Sequence, residues 1–232
     1  MQGLALVGAA RGVLNAAAKT LTFTRPVAAA RGDVLLAIFA FHSADSMNVP
    51  SAWTQLVAAG SPDRFLLLAR MIDVGDPASI VFPLLTVANE WQGELVAFRG
   101  GSPGILRYAG NITTFTSTTS LATPAVTTQQ AIDLVMSVWS CSGAPLLTPP
   151  AGFTTIDNFS TAIASSRSTM VAIRLAGATG GITFPNANAS TSTTGAVVTQ
   201  ALRDRAPIQA PGLLDLVPGN IGLIGKDTRA AR

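Results

Sequence analysis

Short apolar runs, rich in Val, Ile, Leu, Thr and Phe and broken by Gly, Pro, Asn, Asp and Ser, recur along most of the chain. Runs of this length and composition are strand signals. In the first half they predict strands over 4–9 (LALVGA), 20–24 (TLTFT), 33–41 (DVLLAIFAF), 53–59 (WTQLVAA), 64–72 (RFLLLARMI), 79–84 (SIVFPL) and 93–99 (GELVAFR). Helical periodicity under proper caps is missing, and the Ala-rich NAAAK is too short to stand alone as a helix.

The same order of signals returns in the second half. Asp33 heads DVLLAIFAF as Asp133 heads DLVMSVWS, and Pro50 opens PSAWTQL as Pro150 opens PAGFTTI, which sets Trp53 against Phe153. Further on, Arg70 matches Arg174, Phe82 matches Phe184, and Arg99 matches Arg203. Two sets of about six strands without helices predict an all-β fold, an antiparallel jelly-roll-like β-sandwich built from two internal repeats. The expected divisions are an N-terminal strand or arm over 1–19, a first β-repeat over 20–105, a second over 106–205, and an extended C-terminal arm over 206–232. One merged sandwich is favoured over two tandem ones, because each half alone would leave an apolar sheet face uncovered. Trp53 and Phe153 are then equivalent core plugs.

After Arg203 the pattern stops. The closing segment mixes Pro and Gly with Leu213, Leu214, Leu216, Val217, Ile221, Leu223 and Ile224, too little to form a core and too apolar for a solvated tail. It reads either as an arm that orders against a neighbouring subunit or as a strap across its own domain.

Charge narrows the partners. Only 12% of residues are charged while 48% are hydrophobic, so the surface must be built largely from Thr, Ser, Ala, Gly and Asn and resists association weakly. The net charge of +3 is scattered without a basic stripe, which argues against nucleic acid. No apolar stretch reaches the ~18 residues of a membrane span. The start lacks the positive n-region of a signal peptide, and Arg11 interrupts its apolar part.

Candidate chemistry is sparse. One histidine, His42, and one cysteine, Cys141, exclude His/Cys metal cages and an intramolecular disulfide. His42, Ser43 and Asp45 resemble a triad only in composition, because such close neighbours on one loop do not converge. Glu90 and Glu94 flank Trp91, which reads as a polar loop lip or as a carbohydrate contact, and Trp139 reads as core or rim. The sequons at Asn111, Asn158 and Asn188 are expected by chance among so many Ser and Thr residues. No catalytic, cofactor or metal site is predicted, and a non-enzymatic role is expected. Arg70, Arg174, Arg99 and Arg203 read either as anchors to a neighbouring subunit or as partners of the strand-opening Asp33 and Asp133, with stems along the sheet. Arg31-Gly32-Asp33 has the form of an integrin-binding tripeptide, but the matching site is Ala131-Ile132-Asp133, so the shared element is an Asp that closes a turn before a strand.

The phrases RGDVLLA, PSAWTQL, FLLLARMI, PASIVF and GELVAFRG, followed by TPAVTT, IDLVMSV, TPPAGFTTI and MVAIRLAGATG, resemble a family of tailed-bacteriophage virion proteins over roughly residues 20–205. Its pattern runs G-D-L-L-L-A, P-P-A-G-W-T, Y-R-V-A, Y-x-F and A-Y-R-G-V-D, then repeats in degraded form. Ser51-Ala52 and Phe98 depart from it. The resemblance implies a capsid decoration (cement) protein in the virion, assembled in the bacterial cytoplasm on a major capsid protein and like subunits. A minor tail or fibre-associated protein, or a sandwich binding host-surface carbohydrate, is the alternative.

Overall fold

The run 34–41 is apolar on both sides, and a strand of that kind must be covered on both faces. The computed structural model shows how. It describes residues 4–13, 18–42, 47–59, 63–88, 92–100, 110–161 and 167–203. The first half forms β1 (Ala5–Val13), β2 (Ala18–Thr24), β3 (Val34–His42), β4 (Thr54–Ala59), β5 (Asp63–Met71), β6 (Ser79–Ala88) and β7 (Gln92–Arg99). The second forms β8 (Gly110–Leu121), β9 (Val126–Thr128), β10 (Leu134–Ser142), β11 (Leu147–Thr148), β12 (Thr154–Thr161), β13 (Arg167–Leu175), β14 (Gly180–Ile182) and β15 (Ala187–Leu202).

The pairing is antiparallel and nested. In the first half β1 pairs β7, β2 pairs β6 and β3 pairs β5, with β4 added beyond β5. In the second β8 pairs β15, β9 pairs β14 and β10 pairs β13, with β12 beyond β13. Nested hairpins that alternate between a broad sheet and a narrow one are jelly-roll-like. The broad sheets run β1-β7-β3-β5-β4 and β8-β15-β10-β13-β12, the same order, with β11 also pairing β15.

Three apolar clusters stack these pieces into four layers. Val34, Leu36 and Ile38 of β3 and Val96 of β7 meet Leu134, Met136 and Val138 of β10 and Val198 of β15, so the two broad sheets pack face to face. On the outer face of the first sheet, Leu35, Phe39 and Leu95 pack beneath Phe23 and Phe82 of the β2–β6 ribbon. On that of the second, Val135, Trp139 and Met170 pack with Val126 of the β9–β14 ribbon. Each half thus makes a small sandwich of its own, and the broad sheets join the two through a shared core.

Residues 1–19 do not form a separate arm where they are described. Ala5–Val13 is the edge strand of the first sheet and occupies the place that β8 holds in the second. Its alternation is weakened by small residues for a packing reason. Gly12 and Gly93 are cross-strand partners and form the seat of the Phe23 ring. A Cβ on Gly93 would lie 2.7 Å from Phe23 Cζ and 2.8 Å from the Ile38 carbonyl oxygen.

Phe23 also meets Phe39 and Phe82 edge to face, each at 5.7 Å between centroids, so it locks the ribbon onto the sheet. Phe23→Ala should cost about 3–5 kcal/mol, and Gly93→Ala should destabilise strongly because backbone blocks the new methyl. Val81→Ala, on the exposed side of the same ribbon, should stay within about 0.5 kcal/mol. Urea denaturation of the three variants checks the ranking.

Candidate functional site

The strand-opening aspartates are turn locks. Asp33 is buried, its Oδ2 accepts from the Ala30 N–H at 2.9 Å, and Arg99 donates to both oxygens, Nε at 3.0 Å and Nη2 at 2.9 Å. Asp133 repeats the arrangement with N–H groups of Gln129 and Gln130, at 2.8 and 3.1 Å, and with Arg203 at 3.4 and 3.3 Å. Their backbone carbonyls accept from Ile72 and Ala176, which ties each turn to the end of the neighbouring strand. In the Arg31-Gly32-Asp33 tripeptide, the carboxylate an adhesive ligand must present therefore faces inward. Arg99, with help from the Ala30 N–H, holds Asp33 below the usual carboxylate range although burial acts the other way.

The other matched residues form aromatic plugs with a cation laid over them. The N–H groups of Trp53 and Phe153 donate to the carbonyls of Pro50 and Pro150, at 2.8 and 3.1 Å, which turns each ring into its own outer cluster. Trp53 packs on Phe82 at 5.0 Å and Phe153 on Phe184 at 5.4 Å. Arg70 lies over Trp53 at 5.5 Å and forms an ion pair with Asp76, and Arg174 lies over Phe153 at 5.6 Å and Phe184 at 5.4 Å. Within the chain, then, Arg99 and Arg203 partner the aspartates while Arg70 and Arg174 cover rings.

Other sequence candidates disperse. Trp139 is fully buried against Phe153 at 6.1 Å, which removes it from any carbohydrate rim. Cys141 is buried. His42 ends β3, and Ser43, Asp45, Glu90, Trp91 and the arm residues Leu213, Leu214, Leu216, Val217, Ile221, Leu223 and Ile224 lie outside the described residues. The amides of Asn111 and Asn158 donate to the carbonyls of Ala125 and Leu147. Among the described residues no group of three or more His, Cys, Asp or Glu side chains could hold a metal. No helix among them is long and apolar enough to cross a membrane.

A polar cluster that sequence reading did not assemble lies between the two broad sheets. Strand register defines its levels. One rung of the first sheet reads Arg11, Glu94, Ile38, Leu67, Val57. The rung of the second reads Ile112, Val198, Val138, Val171, Asp157. Arg11 clamps both Asp157 oxygens across the interface and lies over the Phe159 ring at 4.8 Å. Glu94, 1% exposed, is hydrogen-bonded to Asp157. One rung further, Gln92 accepts from Thr169 Oγ1 at 2.7 Å and donates to the Arg167 carbonyl at 3.3 Å, while Arg167 Nη1 donates to Ser140 Oγ at 3.3 Å. Burial first, then Asp157, pushes the Glu94 carboxyl up to about 9. Hydrogen bonds with Arg11 and Glu94 hold Asp157 low, overcoming the upward effect of its burial.

The successive contacts also fix direction. Glu94, level with Ile38, meets Asp157, level with Val138, and Gln92, level with Ala40, meets Thr169, level with Ser140. β3 and β10 therefore run the same way, and both aspartate-locked turns lie at one end of the molecule.

Comparison with family models, curated proteins and solved structures found no match to this chain.

Asp33→Ala should cost about 1–3 kcal/mol, because it removes the charged acceptor that the Ala30 N–H and Arg99 share at the turn, whereas Arg31→Ala should cost under about 0.5 kcal/mol. Asp33 titrates below its unfolded value, so its contribution is present above that value and is lost as pH falls through the folded one. The gap between wild type and Asp33→Ala should therefore shrink below about pH 4 in urea titrations.

Proposed function

We propose that this chain is a non-enzymatic structural protein of a tailed-bacteriophage virion, a capsid decoration or cement protein that binds the outer shell lattice. The observation that carries the reading is the end of the molecule at which β3 and β10 begin. There both halves present apolar side chains to solvent on turns and strand ends held by the Asp–Arg locks. Val27 and Val74 come from the first half, 101% and 72% exposed, and Ile132 and Leu175 come from the second. Apolar tips on firmly tied turns suit a fixed protein surface, because little conformational entropy is lost on docking.

The low charge of the chain supports the same reading. A surface with 12% charged residues opposes contact with protein weakly, and a repeated lattice multiplies modest contacts through avidity. The resemblance of its strand and turn phrases to phage virion proteins points the same way. β15 ends at Leu202, paired with Leu134, at this same end, and the reading assigns residues 206–232 to an arm that contacts neighbouring subunits. Ala5–Val13 is committed to the sheet and takes no part in such an arm. A tail or fibre role would use the same end face. No observation on the described residues favours carbohydrate binding.

Co-sedimentation with shells assembled from the cognate major capsid protein tests the reading. The full chain should bind saturably at a fixed ratio, and Val27→Asp with Val74→Asp should weaken binding at least about tenfold, the effect of withdrawing two apolar side chains. Sedimentation no greater than that of an unrelated β-sandwich would overturn it.

A further inference from the structure

The interface between the broad sheets has two unlike flanks at equivalent positions. On one flank stand Arg11, Glu94 and Asp157. The positions that match them in register on the other are Ile112, Val198 and Val57, all packed in the shared core. At that level the second flank closes with apolar side chains, and its buried polar side chain, Gln200 one rung away, is neutral. Arg11 is half exposed at the rim, but Glu94 is fully buried and Asp157 nearly so, and ionic groups buried there add little to stability over apolar ones of similar volume. The polar trio therefore calls for an explanation other than closure.

Its charges supply one. Arg11 spends its guanidinium on both oxygens of Asp157, and Glu94 Oε2 is buried with no hydrogen-bond partner. Two touching carboxyl groups served by one cation cannot both ionise in a water-poor interface, so one must hold a proton. Glu94 is the more deeply buried, so the proton falls to it.

Among the described residues, the surroundings offer Glu94 no second cation at its own level. β1 presents Arg11 to it, β7 presents Gln92 beside it, β3 presents Ile38, β12 presents Asp157 and Phe159, and β13 presents Val171 and Thr169. Arg167 stands two rungs along β13, with its Nη1 on Ser140.

We propose that Arg11, Glu94 and Asp157 form a proton-gated latch between the two halves: with Glu94 protonated this flank is shut, and loss of its proton parts the sheets there while the apolar flank acts as the hinge. The sign follows from linkage. Glu94 in the folded protein titrates far above its unfolded value of 4.5, at about 9. Its stabilising effect is whole below the unfolded value and is withdrawn as pH rises through the folded one, so opening belongs to the alkaline side.

Two measurements on the full chain test the latch. The side-chain carboxyl carbon of Glu94, followed by NMR, should titrate above pH 8, and a midpoint in the ordinary range near 4.5 would overturn the proposal. Amide hydrogen exchange, corrected for intrinsic rates, should show β1 and β12 losing at least about tenfold more protection than β4 and β8 between pH 7 and 10. Glu94→Gln should abolish that difference. So should the apolar copy of the opposite flank, Arg11→Ile with Glu94→Val and Asp157→Val, which serves equally if the single variant does not fold. Equal loss on both flanks in the wild type, or a pH response that survives in either variant, would overturn the latch.

Discussion

A sheet that is apolar on both faces cannot stop at two layers, and this constraint governs the molecule. β3 and β10 bury nearly every side chain, so each needs a ribbon on its outer face and another sheet on its inner face. The two halves meet that need by covering each other. At roughly 25 cal/mol per Å² of apolar surface removed from water, such covering is the principal force that joins them. The face-to-face contact in turn sets which side chains share a rung. Arg11 meets Asp157, and Gln92 meets Thr169, because the rungs of the two sheets coincide.

Local chemistry then holds the ends. The Asp–Arg locks close the turns from which the central strands start, and the Pro-led turns before β4 and β12 drive Trp53 and Phe153 into the outer layers. Arg70 and Arg174 shield those rings from water with their guanidinium planes. The molecule is thus tied at the turns of one end and plugged under both ribbons. Firm turns carry the apolar tips of Val27, Val74, Ile132 and Leu175 at that end.

Much of the architecture was legible because burial on both faces leaves long unbroken apolar runs. DVLLAIFAF and DLVMSVWS announce central strands, and the matching positions of Asp33 with Asp133 and Arg99 with Arg203 singled out residues that do come together. Edge strands were harder. Ala5–Val13 carries Gly8, Gly12 and Arg11 because its neighbours are Pro26, the Phe23 ring and Asp157, none of which a local window contains. Arg11 consequently read only as a break in an apolar segment. Glu94 was read only with Glu90 and Trp91, as part of a loop lip or carbohydrate contact, since Asp157 reaches it only through the packing of one sheet on the other. A signal did exist. Asp157 stands where the first half has Val57, and Glu94 where the second has Val198, so charge replaces an apolar residue at inward-facing positions.

The difference between the two flanks has a consequence for symmetry. Were either half to associate with an identical copy through the same face, the contact would be isologous, and whatever stood on one flank would stand on the other. A polar flank would then come twice or not at all, and the pair would have no fixed side from which to open. Carrying both halves on a single chain removes that identity. One seam can carry valine and isoleucine at the level where its twin carries charge, and association no longer depends on concentration. The linkage turns what would be a symmetric clamp into an object with a hinge side and a clasp side.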